Sequence, residues 1–139
     1  MTGTAFLIDT DWVINHLSKL EPATTKRLKE LEPRGLAISI ITVAELWEGV
    51  IFSRDRRQAE ASVTEFIENV RVIEIDESVC KVFGQIRGTL RKSGKLAHSG
   101  VGDLDLLIAA TALRHGLALL TNNRRHFENI ESLRIESLT

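Results

Sequence analysis

The chain has a single cysteine, Cys80, in 139 residues, so an internal disulfide is impossible. That suits a reducing compartment, and a cytoplasmic location is expected. No apolar run approaches the roughly 20 residues that cross a bilayer, so no membrane span is expected. The first residues carry no basic stretch ahead of an apolar core, which argues against export. Histidines and cysteine never fall at zinc-binding spacing: His16, His98, His115 and His126 lie far apart. No repeat, low-complexity tract or linker divides the sequence, so residues 1–139 read as one domain.

The sequence is 43% hydrophobic and 27% charged, with a net charge of −1, as a globular domain should be. Basic residues gather in Ser53–Gln58, Arg87–Lys95 and Asn123–His126. Such clusters read as solvated faces or as the basic rim of an acidic site that takes a polyanion.

Short apolar runs alternate with helical periodicities. Ala5–Ile8, Leu36–Ile40, Arg71–Ile75 and Leu117–Thr121 are predicted strands, and Leu133–Ser137 is a candidate fifth. Between them, helices are predicted directly after Asp9, from Ala23 to the stop at Pro33 and Gly35, over Thr42–Phe52, over Ala59–Asn69 and over Ser78–Lys92. A Gly- and Ser-rich loop, Ser93–Gly102, leads into a nearly all-apolar helix from Asp103 that must be buried on most of its circumference and ends at Gly116. The expected fold class is α/β, with a mainly parallel central sheet of four to five strands and helices on both faces.

In such a sheet ligands bind beyond the carboxyl ends of the strands. Asp9 and Asp11 follow the first strand, Glu45 lies a turn beyond the second, Asp103 and Asp105 open the buried helix, and Asn122 and Asn123 follow the fourth strand. Each acid has a structural reading. Asp9 and Asp103 suit helix N-caps, Asp105 a favourable first-turn charge, and Thr42 with Glu45 has capping-box spacing. Capping alone does not require acids from distant segments to meet at one sheet edge. Two carboxylates ~4 Å apart repel by about 4 kcal/mol at an effective dielectric of 20. Three or four together either raise each other's pKa sharply or require a cation. A cation site is favoured, and an all-oxygen set suits Mg²⁺ or Mn²⁺. Water activated by such an ion attacks phosphodiesters.

The stretches "FLIDTDWVI", "ISIITVAELWEGV" and above all "DLDLLIAATALRHGLALLTNNRRHFENI" resemble a PIN-domain ribonuclease of the VapC toxin type. The resemblance implies a metal-dependent endoribonuclease, usually dimeric, inhibited by a cognate VapB-type antitoxin whose tail fills a groove on the toxin. Position by position it implies Asp9, Glu45 and Asp105 as catalytic, Mg²⁺-binding acids. Asp103 is left as a cap, a supporting group or a further ligand. Where the family often has an acid beyond the fourth strand, this chain has Asn123, whose amide oxygen ligates without charge, so whether one metal or two is held stays open. Asp11, Thr10 and Thr121 would support the carboxylates. Trp12, Trp47 and Phe52 are candidates for the antitoxin groove, with the core as the alternative for each. Two rivals remain. A flavodoxin-like phospho-receiver needs a late lysine, and none follows Lys95. A PIN-fold module that binds RNA or a partner without cutting is the other.

Overall fold

The computed structural model describes residues 3–138. In chain order it runs β1 (Phe6–Ile8), α1 (Thr10–Ser18), α2 (Pro22–Leu31), a 3-10 turn (Glu32–Arg34), β2 (Leu36–Ser39), α3 (Ile40–Ile51), α4 (Arg56–Glu68), β3 (Arg71–Ile73), α5 (Glu77–Lys92), α6 (Asp103–His115), β4 (Ala118–Leu120), α7 (Arg124–Phe127) and β5 (Ile135–Glu136). The five strands form one sheet in the order β3-β2-β1-β4-β5, and every pairing is parallel. The expected α/β class, the fifth strand and the helical cover on both faces are all present.

Period-two alternation along the strands divides the core. Leu7, Ala37 and Leu119 point to the face covered by α5 and α6, where Leu90, Leu106, Ile108, Ala109 and Phe127 complete one cluster. Phe6, Ile8, Ile38 and Leu120 point to the other face, against Trp12, Val13, Leu28, Leu46 and Val63 of α1 to α4. As the apolar run predicted, α6 is buried over most of its surface, from Leu106 through Ala112. Gly116 ends it in the left-handed conformation at φ +67°. Gly35, at φ +94°, admits no other residue, since a Cβ there would meet the Gly3 carbonyl oxygen at 2.0 Å.

The chain lays β2 and β3 on one side of β1 and β4 on the other. The connections leaving β1 and β2 cover one face, while the long connection into β4 covers the opposite face. The crevice between these layers therefore opens at the carboxyl ends of β1 and β4, directly in front of Asp9 and Thr121.

Several boundaries move. α3 begins at Ile40, capped by Ser39, whose hydroxyl accepts from Ile41 N at 3.0 Å. The start expected at Thr42 is two residues late, because the seryl cap stands inside what reads as strand. α4 likewise starts at Arg56 behind Asp55, whose carboxylate accepts from Gln58 N at 3.1 Å. β3 stops at Ile73, and α7 was not anticipated.

Candidate active site

Asp9 is the N-cap of α1, and the capping reading is correct as far as it goes: Oδ1 accepts from Thr10 N at 2.9 Å. Its other oxygen, Oδ2, accepts from the Thr121 hydroxyl at 2.7 Å, across the β1–β4 boundary. Thr121 Oγ1 in turn accepts from Asn123 N at 3.0 Å, so its own proton is directed at the carboxylate. Asp9 is 3% exposed. Burial, then the charge of Asp11 and more weakly that of Asp105, push its pKa from the ordinary 3.8 up to about 7, against the bonds from Thr121 and Thr10.

Glu45 belongs to no capping box, since α3 is already under way at Thr42. The Thr10 hydroxyl donates to Glu45 Oε1 at 2.6 Å. Thr10 Oγ1 also lies 3.0 Å from the hydroxyl of the fully buried Thr42. Because the Thr10 proton goes to the carboxylate, Thr42 is the donor between the two hydroxyls. Burial, then the charges of Asp105 and Glu48, raise the pKa of Glu45. Thr10 and Thr121 thus each donate a hydroxyl to one of the acids. Thr42 was missed, because its spacing to Glu45 suggested a different job.

Asp11 straps the loop after β4 to α1. Oδ2 accepts from Asn122 N at 3.0 Å, and Oδ1 accepts from Trp12 N at 2.8 Å. Burial, and more weakly the charge of Asp105, raise its pKa against these bonds. Asn122 Oδ1 accepts from the Trp12 indole at 3.1 Å and from Leu138 N at 3.2 Å. Trp12 is completely buried, which removes it from the groove candidates. Its indole N–H has the partner that burial demands.

The first-turn acids of α6 go different ways. Gly102, not Asp103, is the N-cap, and exposed Asp103 accepts from Arg87 Nε at 2.9 Å. Asp105 is half-buried and adds charge against Asp9, Asp11 and Glu45. Its Oδ2 lies 3.4 Å from His126 Nδ1, a neighbour that sequence reasoning placed only in a basic cluster. Asn123 is exposed and contributes its backbone N–H to Thr121. Arg124 of the same cluster turns away, with Nη2 3.3 Å from Ser137 Oγ.

The structure thus gathers Asp9, Asp11, Glu45 and Asp105 into one electrostatic neighbourhood and ties Asp103 to Arg87. Among the described residues, no three Asp, Glu, His or Cys side chains form a group ready to hold a metal ion. The set remains compatible with a hard cation. Its donors are all oxygens, its charge is poorly compensated, and Mg²⁺ commonly takes one or two carboxylates and keeps water elsewhere.

Beside the acids runs an apolar groove of about 330 Å³ between α1, α3 and α4, lined by Ile14, Leu17, Leu46, Val50 and Val63 and reaching Glu45. Ile51 and Phe52 are exposed at the end of α3, Phe52 to 82%.

The PIN domain family model matches residues 6–133. The tRNA(fMet)-specific endonuclease VapC of Shigella flexneri is 32% identical over 131 residues, 94% of this chain and 96% of that protein. Ribonuclease VapC2 of Haemophilus influenzae is 31% identical over 132 residues, 95% and 96% of the respective chains. The solved structure of DNA-bound VapBC from Salmonella typhimurium superposes with a TM-score of 0.88 at 32% identity, over 99% of this chain and 100% of that one.

Proposed function

The chain belongs to the PIN-domain family, among the VapC ribonucleases, and from that premise we propose that it is a Mg²⁺- or Mn²⁺-dependent endoribonuclease, the toxin of a toxin–antitoxin pair. One observation carries the site assignment. Asp9, buried at the crevice, has its pKa pushed up to about 7, by burial first, then by the charge of Asp11 and more weakly that of Asp105. A divalent cation removes that repulsion, and Asp9, Glu45 and Asp105 are the residues that would hold it. Asp103, committed to Arg87, and Asn123 are secondary candidates. When bound, the cation makes water a better nucleophile and offsets negative charge developing on the phosphate.

The chain's own residues do the rest. Thr121 and Thr10 hold Asp9 and Glu45 in place by hydroxyl donation. Asp11 ties the loop after β4 to the start of α1. One of the carboxylates would receive the proton that the attacking water loses. Arg87, with its Nε on Asp103, offers its remaining guanidinium N–H groups to an RNA phosphate at the mouth. Structured RNA is the substrate class, and tRNA is the first to try given the Shigella relative's name.

The groove beside Glu45 is the proposed seat of a VapB-type antitoxin. Its apolar wall takes a helix or strand of the inhibitor, and a basic side chain at its end would reach the acids. Trp47, 38% exposed, and Phe52 remain candidates for the rim. A cytoplasmic homodimer is the working form proposed. The silent-module reading draws on Asn123 and on the lack of a ready metal group among the described residues. One assay separates the two: RNA cleavage with Mg²⁺ or Mn²⁺, abolished by EDTA and by Asp9→Asn, supports the enzyme, whereas metal-independent binding with no cleavage supports the module.

A further inference from the structure

We propose that His126 is a positioning residue for Asp105, donating from Nδ1 to the carboxylate and fixing its direction; the inference rests on the nuclease reading above. Among the described residues His126 Nδ1 is cut off from solvent and has no hydrogen-bond partner, while Asp105 Oδ2 stands 3.4 Å away. That is longer than a well-made N–H···O bond, and a small rotation of either side chain closes it. Such contacts commonly tighten when the site is filled.

The ring is held on its other sides. Phe127, fully buried, anchors α7 to the core, and His126 N donates to Asn123 O at 2.9 Å. Gly100 covers the opposite ring edge. It sits at φ +72°, and a Cβ there would lie 3.5 Å from Nε2. With Nε2 turned to Gly100, Nδ1 is left facing Asp105.

The other acids show what the site requires. Asp9 receives a hydroxyl from Thr121, and Glu45 receives one from Thr10, in each case from a different element of the fold. Among the described residues no hydrogen bond reaches Asp105, although it faces the same crowd of negative charge. Without a tether it would swing outward to relieve that repulsion. His126 is the group placed to stop it, and a neutral ring carrying its proton on Nδ1 suffices.

The test uses the full chain in three forms. Long-range ¹H–¹⁵N spectra of the wild type at pH 8 are expected to show a protonated Nδ1 on His126; an unprotonated Nδ1 overturns the proposal without any variant. Mn²⁺ affinity, read by electron paramagnetic resonance, is expected to weaken about 10–100-fold in His126→Leu. Tm is expected to stay within about 2 °C, and His126→Asn, which restores a donor, is expected to recover most of the affinity. Equal Mn²⁺ affinity in His126→Leu and wild type overturns the positioning role alone. A wild type that binds no Mn²⁺ overturns the metal reading itself, and this inference with it. If His126→Leu does not fold, the wild-type tautomer and the Asn variant decide.

Discussion

The entrances to α1 and α5 are built from the same local parts. Asp76 caps α5, accepting from Val79 N at 3.0 Å and from the Ser78 hydroxyl at 2.6 Å. Asp9 caps α1, accepting from Thr10 N at 2.9 Å and from the Thr121 hydroxyl at 2.7 Å. Each aspartate thus has one backbone donor and one hydroxyl donor. Yet those bonds, Ser78 first, lower the pKa of exposed Asp76, while burial and neighbouring acids drive that of Asp9 up to about 7. A helix cap explains why an aspartate stands at both places. It does not explain why one of them is buried among like charges. That excess of buried acid at α1 costs stability that exposed Asp76 does not.

The largest expected effect breaks the symmetry through activity. Asp9→Asn lowers the single-turnover rate of RNA cleavage by at least about 1000-fold, an electrostatic loss of roughly 4 kcal/mol, while Asp76→Ala cleaves at the wild-type rate. Melting curves move the other way. Asp76→Ala loses a few degrees through its cap, and Asp9→Asn, which removes a buried charge, melts at or above the metal-free wild type at pH 8. A fully active Asp9→Asn would reduce Asp9 to an ordinary cap.

Next in size is the loss of a hydroxyl. Thr121→Val and Thr10→Val each remove the donor that aims a carboxylate, and each is expected to weaken Mn²⁺ binding and cleavage about 10–100-fold. Ser78→Ala, the equivalent change at α5, leaves both untouched. Calorimetry and initial rates on the same preparations compare them directly.

The pH dependence is smaller and has an unusual sign. Folded Asp9 keeps its proton to about pH 7, whereas the unfolded chain releases it near 3.8. Between those values the folded state binds more protons, so metal-free stability falls as pH rises, by at most about 1.4 kcal/mol per unit. Glu45 and Asp11, also raised, act in the same direction. Asp76, lowered, acts oppositely: its contribution is present above pH 3.8 and is lost as pH falls through its folded value. Thermal melts of EDTA-treated protein from pH 4.5 to 8 check the sign. Adding Mg²⁺ is expected to raise Tm more at pH 8 than at pH 5, and not at all in Asp9→Asn.

The contrast between the two caps also marks what the primary structure discloses. The short apolar run Phe6-Leu7-Ile8, the apolar run of α6 and the stop at Gly116 are local patterns, and all three were legible. Sheet topology places the ends of parallel strands together, and the charge of Asp105 does act on Asp9 and Glu45. No three acids among the described residues, however, form a group that could hold a metal ion. Pairings that depend on tertiary approach were not legible. Arg87 meets Asp103 from sixteen residues away, and the bond from Trp12 to Asn122 crosses 110 residues. The contact from His126 to Asp105 forms only when α7 meets the first turn of α6. Thr42 misled because its spacing to Glu45 matched a cap that Ser39 already supplied.

The most direct measurement is the titration of the Asp9 carboxyl carbon by NMR, with and without Mg²⁺. The expected result is an apparent pKa near 7 in the metal-free protein that drops by more than a unit when Mg²⁺ is added. A value near 4, indifferent to Mg²⁺, would contradict a shared cation pocket at the end of β1.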